Sequence, residues 1–193
     1  MNIFFTADHH FRHANIIRYC DRPFTTCPEM DEELIRRWNE KVAPFDVVYH
    51  LGDFGFFKQS HEVERIIERL NGYIVLVPGS HDSKLASWAE MKVFEPRLKL
   101  APPLLTIKPI LQTTGLAHPI VLCHYAMRHW EASFHGSWQL HGHTHGRLKP
   151  HGYQHDVGVE VNGFAPVSLL EIERIMVALI IPKAIAPDDE SRI

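Results

Sequence analysis

Aspartate and histidine recur along this chain in short clusters that share one possible chemistry. Asp8 and His10 are one residue apart, so in an extended segment both side chains lean to the same side. Asp53 directly follows Gly52. Gly79-Ser80-His81-Asp82 comes next, then His124, then Gly142-His143-Thr144-His145 with a second i, i+2 pair. Mixed carboxylate and imidazole donors suit a borderline first-row cation (Mn, Fe, Zn, Co or Ni) better than Ca²⁺ or Mg²⁺. The flanking glycines let the backbone approach such ions closely. Histidine is also in excess, 15 of 193 residues, and neutral imidazole is the commonest metal ligand. Taken singly, Asp8 or Asp53 at a strand end is more often a turn or cap former than a ligand. The ordered set is what favours ligation.

These clusters need elements to hold them, and each follows a short apolar run. Ile3-Phe4-Phe5 leads to Asp8, Val47 to Leu51 leads to Asp53, and Tyr73 to Val77 leads to the Gly79 cluster. Such runs, bounded by turn formers, predict buried strands. Between them Met30, Leu34, Ile35, Trp38 and Val42 form an apolar helical stripe stopped by Pro44. Val63, Ile66, Ile67 and Leu70 form another, closed by Asn71-Gly72. Alternating strands and helices imply an α/β sheet, in which functional groups gather beyond the carboxyl ends of the strands. In the second half, Ile120 to Cys123, Trp138 to Leu140 and an alternating Val157 to Val161 predict further strands. Ser168-Leu169-Leu170-Glu171 predicts a capped helix start. Without an internal repeat or linker, residues 1–182 are expected to form one domain and 183–193 a flexible tail.

Composition removes several functional classes. With 20 basic against 23 acidic side chains and a net charge of -3, there is no basic footprint for long nucleic acid. Three cysteines (Cys20, Cys27, Cys123) without knuckle spacing argue against a disulfide scaffold and for a reducing compartment. Asp8 and the histidines after it interrupt any signal-peptide core, and the apolar run from Ile175 to Ile181 is too short to span a bilayer. The expectation is a cytoplasmic protein without membrane partners.

The order D-x-H, G-D, G-x-H-D, H, G-H-x-H, spread over residues 8–145, resembles the calcineurin-like metallophosphoesterase superfamily, in particular its small single-domain bacterial and phage members. The resemblance implies an α/β four-layer sandwich of two mixed β-sheets flanked by helices. It also implies two metal ions: Asp8, His10 and His145 on the first, His124 and His143 on the second, Asp53 bridging, and a bridging hydroxide as nucleophile. His81 would touch the phosphate and protonate the leaving group, with Asp82 fixing its tautomer. The pattern breaks at Ser80, where the superfamily has an asparagine ligand. A serine hydroxyl is the shorter and weaker donor, so a weakened second site is expected.

The function expected on this basis is hydrolysis of small or nucleotide-type phosphodiesters. The alternatives are a phosphomonoesterase or protein phosphatase, and, because of Ser80, a weakened scaffold protein. Arg12, His13 and Arg22 are candidate phosphate contacts, charge-assisted in the arginine cases. His9 and His141 are candidate supports of the site. His50 is expected packed and His61 solvated, while His118, His129, His135, His151 and His155 are expected in loops without function. Trp130, Phe134 and Trp138 are expected to serve core packing or an interface rather than a substrate wall.

Overall fold

The computed structural model describes residues 1–180; the expected tail lies outside them. The first sheet is built from β1 (Ile3–Thr6), β2 (Val47–His50), β3 (Tyr73–Leu76), β4 (Leu98–Leu100) and β9 (Val167–Ser168), in the order β4-β3-β2-β1-β9. β1 to β4 are parallel and β9 runs antiparallel to β1. The second sheet, β5-β6-β7-β8, comprises β5 (Leu104–Ile107), β6 (Ile120–Cys123), β7 (Trp138–His141) and β8 (Gln154–Asp156), with only the β5–β6 pair antiparallel. The fold is thus an α/β arrangement of two mixed sheets flanked by helices.

Alternation along the strands builds two cores. Phe4, Val48 and Ile74 point to one face of the first sheet and meet α1 (Ala14–Tyr19), α2 (Cys27–Lys41), α3 (Ser60–Ile67) and α4 (Ser83–Glu90). Phe5, Leu51 and Val77 point the other way and pack against Ile120, Leu122, Trp138 and Leu140 of the second sheet. Leu169, Ile172 and Met176 of α5 (Leu169–Ile180) join them there. Helix α2 shows why the sequence folds so. Thr26 and Glu29 form a reciprocal capping box, Pro28 sits in the first turn, and Met30, Leu34, Ile35 and Trp38 are buried. Each of those four side chains contributes about 1.5–3 kcal/mol by leaving water. Ser168 and Glu171 likewise bond reciprocally at the start of α5.

Two stretches depart from the sequence expectation. Val157 to Val161 do not form a strand; β8 ends at Asp156 and the chain turns. Polar bonds outcompete the apolar alternation there. Asp156 accepts the Gly158 N–H at 2.8 Å, and the Asn162 amide donates to the carbonyls of Asp156 and Gly158. His155, expected in a loop, lies in β8 and pairs with Asn162. The short helices α1 and α4 and strands β4 and β5 gave no periodic signal, being three to eight residues long.

Candidate metal centre

The parallel pairing of β1 with β2 continues past both strand ends and sets the site. Asp8, His10 and Phe11 donate backbone N–H bonds to the carbonyls of Gly52, Asp53 and Phe54, each at 3.0 Å. The two acidic loops therefore run side by side. Gly52 takes φ +90°, and a Cβ there would sit 2.4 Å from the Gly79 nitrogen; a Cβ on Gly79 would sit 2.6 Å from an Asp53 carboxylate oxygen. No larger residue fits either position. Asp8, His10, Asp53, His143 and His145 all have φ between +49° and +68°. Non-glycine residues in the left-handed region carry strain that persists only where the surroundings impose it, and such strain clusters at functional sites.

Two donor clusters result. The ligand atoms of Asp8, His10 and His145 lie within 4.8 Å of one another, and so do those of Asp53, His124 and His143. Asp53 Oδ2 is 3.7 Å from His10 Nε2 and 3.5 Å from His124 Nε2, so it stands between the clusters. The His124 Nδ1–H donates to the Leu51 carbonyl at 2.7 Å, which leaves Nε2 unprotonated in the neutral ring and turned towards Asp53. Neither buried nitrogen of His10 has a hydrogen-bond partner, nor does His124 Nε2. Burial pushes His10 down to about 3, so its ring is neutral and its lone pair free. Burial pushes Asp8 up to about 7, partly offset by His145 and His124. Buried, unpartnered imidazoles beside carboxylates cost free energy that a bound cation would offset. The donor set fits metal ions.

The remaining predicted residues divide. Ser80 lies in the cleft, and its hydroxyl hydrogen-bonds to both Asp53 oxygens at 3.2 and 3.0 Å. His81 donates its backbone N–H to Asp53, while its half-exposed ring stands at the mouth of the cleft, Nε2 4.0 Å from Asp53. Asp82 does not orient His81. Its buried carboxylate accepts the backbone N–H groups of Asp53, Phe54 and Gly79 at 2.6–3.0 Å and so splints the two loops together. Arg12 faces away, paired with Glu62 at 3.1 Å in a groove between α2 and α3. Arg22 is buried and fully engaged: it donates to the carbonyls of Asp8 and His9 and to Glu160, so it braces the loop and does not face a phosphate. His13 does line the cleft, stacked on Phe56 with ring centroids 3.9 Å apart. His9 turns inward to a buried 2.9 Å bond with His50.

Sequence reasoning missed Glu160. Its Oε1 lies 2.9 Å from His145 Nδ1 and accepts from Arg22, so a buried carboxylate stands directly beside one of the candidate ligands. Burial would raise this carboxyl, but His145 and Arg22 hold it at about 2. The signal was there: an acid inside an apolar alternation needs a partner. Cys20 also lies near His145 and Glu160, but Glu160 is already committed to Arg22 and His145.

No family model matches the chain. It is 33% identical over 175 residues, covering 86% of both chains, to Uncharacterized protein MJ1445 of Methanocaldococcus jannaschii. The chain belongs to that protein's family. The fold of the family recurs in the crystal structure of AQ665 from Aquifex aeolicus, a protein of unknown function, with TM-score 0.66 and 25% identity over 90% of this chain and 98% of that one. A novel archaeal phosphodiesterase overlaps more loosely, with TM-score 0.44 and 22% identity over 82% of each chain, too little to bear on activity. No helix among the described residues is long and apolar enough to cross a membrane.

Proposed function

We propose that the chain is a metal-dependent phosphoesterase of the calcineurin-like type, acting on small or nucleotide-type phosphodiesters. The observation that carries this is the pair of three-residue donor clusters joined through Asp53, with unpartnered imidazole nitrogens of His10 and His124 among them. Asp8, His10 and His145 would hold one cation, His124 and His143 the other, with Asp53 shared and Ser80 beside it. Two bound cations of the Mn, Fe, Zn, Co or Ni type would lower the pKa of a shared water and offset charge on the phosphate.

The chain's own residues do the rest. In hydrolysis a water oxygen bonds to phosphorus, the ester P–O bond breaks, and the departing oxygen takes a proton. His81, half-exposed at the mouth of the cleft and tied to Asp53 through its backbone, is the group placed to supply it. Gly79 and Asp82 hold that loop rigid. A diester is favoured because, beyond the cations, the cleft has little side-chain charge for a second phosphate charge: among the described residues that line it the arginine is Arg147, which donates to the Tyr19 carbonyl.

Release of p-nitrophenol from bis(p-nitrophenyl) phosphate, dependent on added Mn²⁺ and absent with p-nitrophenyl phosphate, is the expected result. Preference for the mono-ester would favour a phosphomonoesterase. A chain that binds no metal at micromolar Mn²⁺ or Zn²⁺ would favour a scaffold role.

A further inference from the structure

Beside the metal cleft lies a second cavity of about 210 Å³, lined by Gly55, Phe57, Ser83, Lys84, Leu85 and Trp88. The metal cleft itself encloses about 400 Å³. Phe56 and His81 line both and form the partition between them. Together the two volumes fall within the roughly 300–1,000 Å³ of small-molecule sites.

Phe56 is built to stay where it is. Its backbone N–H bonds to the Phe11 carbonyl at 2.8 Å, and a Cβ on Gly55 would sit 2.6 Å from the Phe57 ring, so the turn admits only glycine there. Phe54 and Phe57 on either side are buried in the core, whereas Phe56 is 38% exposed. Its ring is supported by His13 at 3.9 Å and His81 at 4.8 Å. A rigid, half-exposed aromatic ring beside a polar centre is a stacking platform. Trp88, partly buried against the core, also lines the cavity, and Ser83 and Lys84 supply exposed donors from the first turn of α4. Among the described residues that line it, the cavity wall carries one cation, Lys84, and no carboxylate.

We propose that this cavity receives the aromatic base of a nucleotide-type substrate, stacked between Phe56 and Trp88, with its acceptor edge towards Ser83 and Lys84. The assignment rests on the phosphoesterase reading for what lies at the metals. It adds that the ester group next to His81 carries a planar, hydrogen-bond-accepting ring. A cavity floored by a stacking ring and rimmed by donors discriminates such a ring from an aliphatic alcohol or a bare sugar.

The test is equilibrium binding followed through Trp88 fluorescence in the metal-loaded full chain, with adenosine 5′-monophosphate and ribose 5-phosphate as probes. The nucleotide should quench and bind about tenfold or more tightly than the sugar phosphate, in line with the affinity that base stacking supplies. Trp88→Phe should remove the signal. Phe56→Leu should bring the two affinities within about twofold by competition against inorganic phosphate, and Phe56→Trp should restore the gap. Lys84→Ala, an exposed change that leaves the fold alone, should weaken the nucleotide but not the sugar phosphate. Equal affinity for the two probes in the unmodified chain, or a gap that survives Phe56→Leu and Lys84→Ala, would overturn the proposal. Nucleotide preference in a chain that hydrolyses no phosphoester would refute only the phosphoesterase reading. Turnover without nucleotide preference would refute only the assignment of this cavity.

Discussion

The two donor clusters share Asp53 but are supported very differently. Behind Asp8 and His145 stands a buried polar network, while the His10 ring is held by packing alone. Glu160 pairs with His145, Arg22 ties Glu160 to the carbonyls of Asp8 and His9, and His9 is locked to His50. Around Asp53, His124 and His143 the support is thinner. His124 is anchored through Leu51, but His143 is exposed, and the hydroxyl of Ser80 is spent on Asp53. The contrast teaches that a metal site is made by its supporting bonds as much as by its donors. The first cluster is pre-organised and the second depends on what binds it. One tight and one weaker cation are therefore expected.

Several substitutions would break or sharpen that contrast. The largest effect belongs to Asp53→Asn, which removes charge from both clusters at once. Turnover of the bis-ester should fall by about a hundred- to a thousandfold, the scale of losing one placed electrostatic group, and metal analysis should show both cations reduced. Glu160→Gln comes next and acts on the first cluster alone. First-cation affinity measured by calorimetry should drop about 10–100-fold, as for other partners of ligating histidines, while the second remains as it was. Ser80→Asn should work in the opposite direction, raising occupancy of the second cation several-fold at limiting Mn²⁺ and leaving the first unchanged. Unaltered metal content in that variant would show that Ser80 does not limit the second cation. Smallest is Arg12→Ala: with its guanidinium on Glu62 outside the cleft, turnover should stay within about twofold by steady-state assay.

The donor positions could be read from the chain because strict local rules govern them. Asp8 and Asp53 end parallel strands, and Gly52 and Gly79 sit where no Cβ fits, so type and spacing carry the geometry directly. The supports could not be read so. Arg22 and Glu160 are 138 residues apart and meet only through the fold. Arg22 looked like a phosphate contact because a lone arginine near a motif gives no hint of the carboxylate and carbonyls that will claim it. Asp82 misled for a related reason. Proximity in sequence to His81 suggested an imidazole partner, whereas three backbone N–H groups from two loops compete for the same oxygens and win. The strand expected over Val157 to Val161 failed because Asp156 and Asn162 offered the backbone better partners than a neighbouring strand.

Calorimetric titration of the chelator-stripped chain with Mn²⁺ tests the central claim most directly. Two cations per chain should bind in two resolved steps, a tight one weakened by Glu160→Gln and a weaker one strengthened by Ser80→Asn. A single cation, or two whose affinities ignore both substitutions, would contradict it.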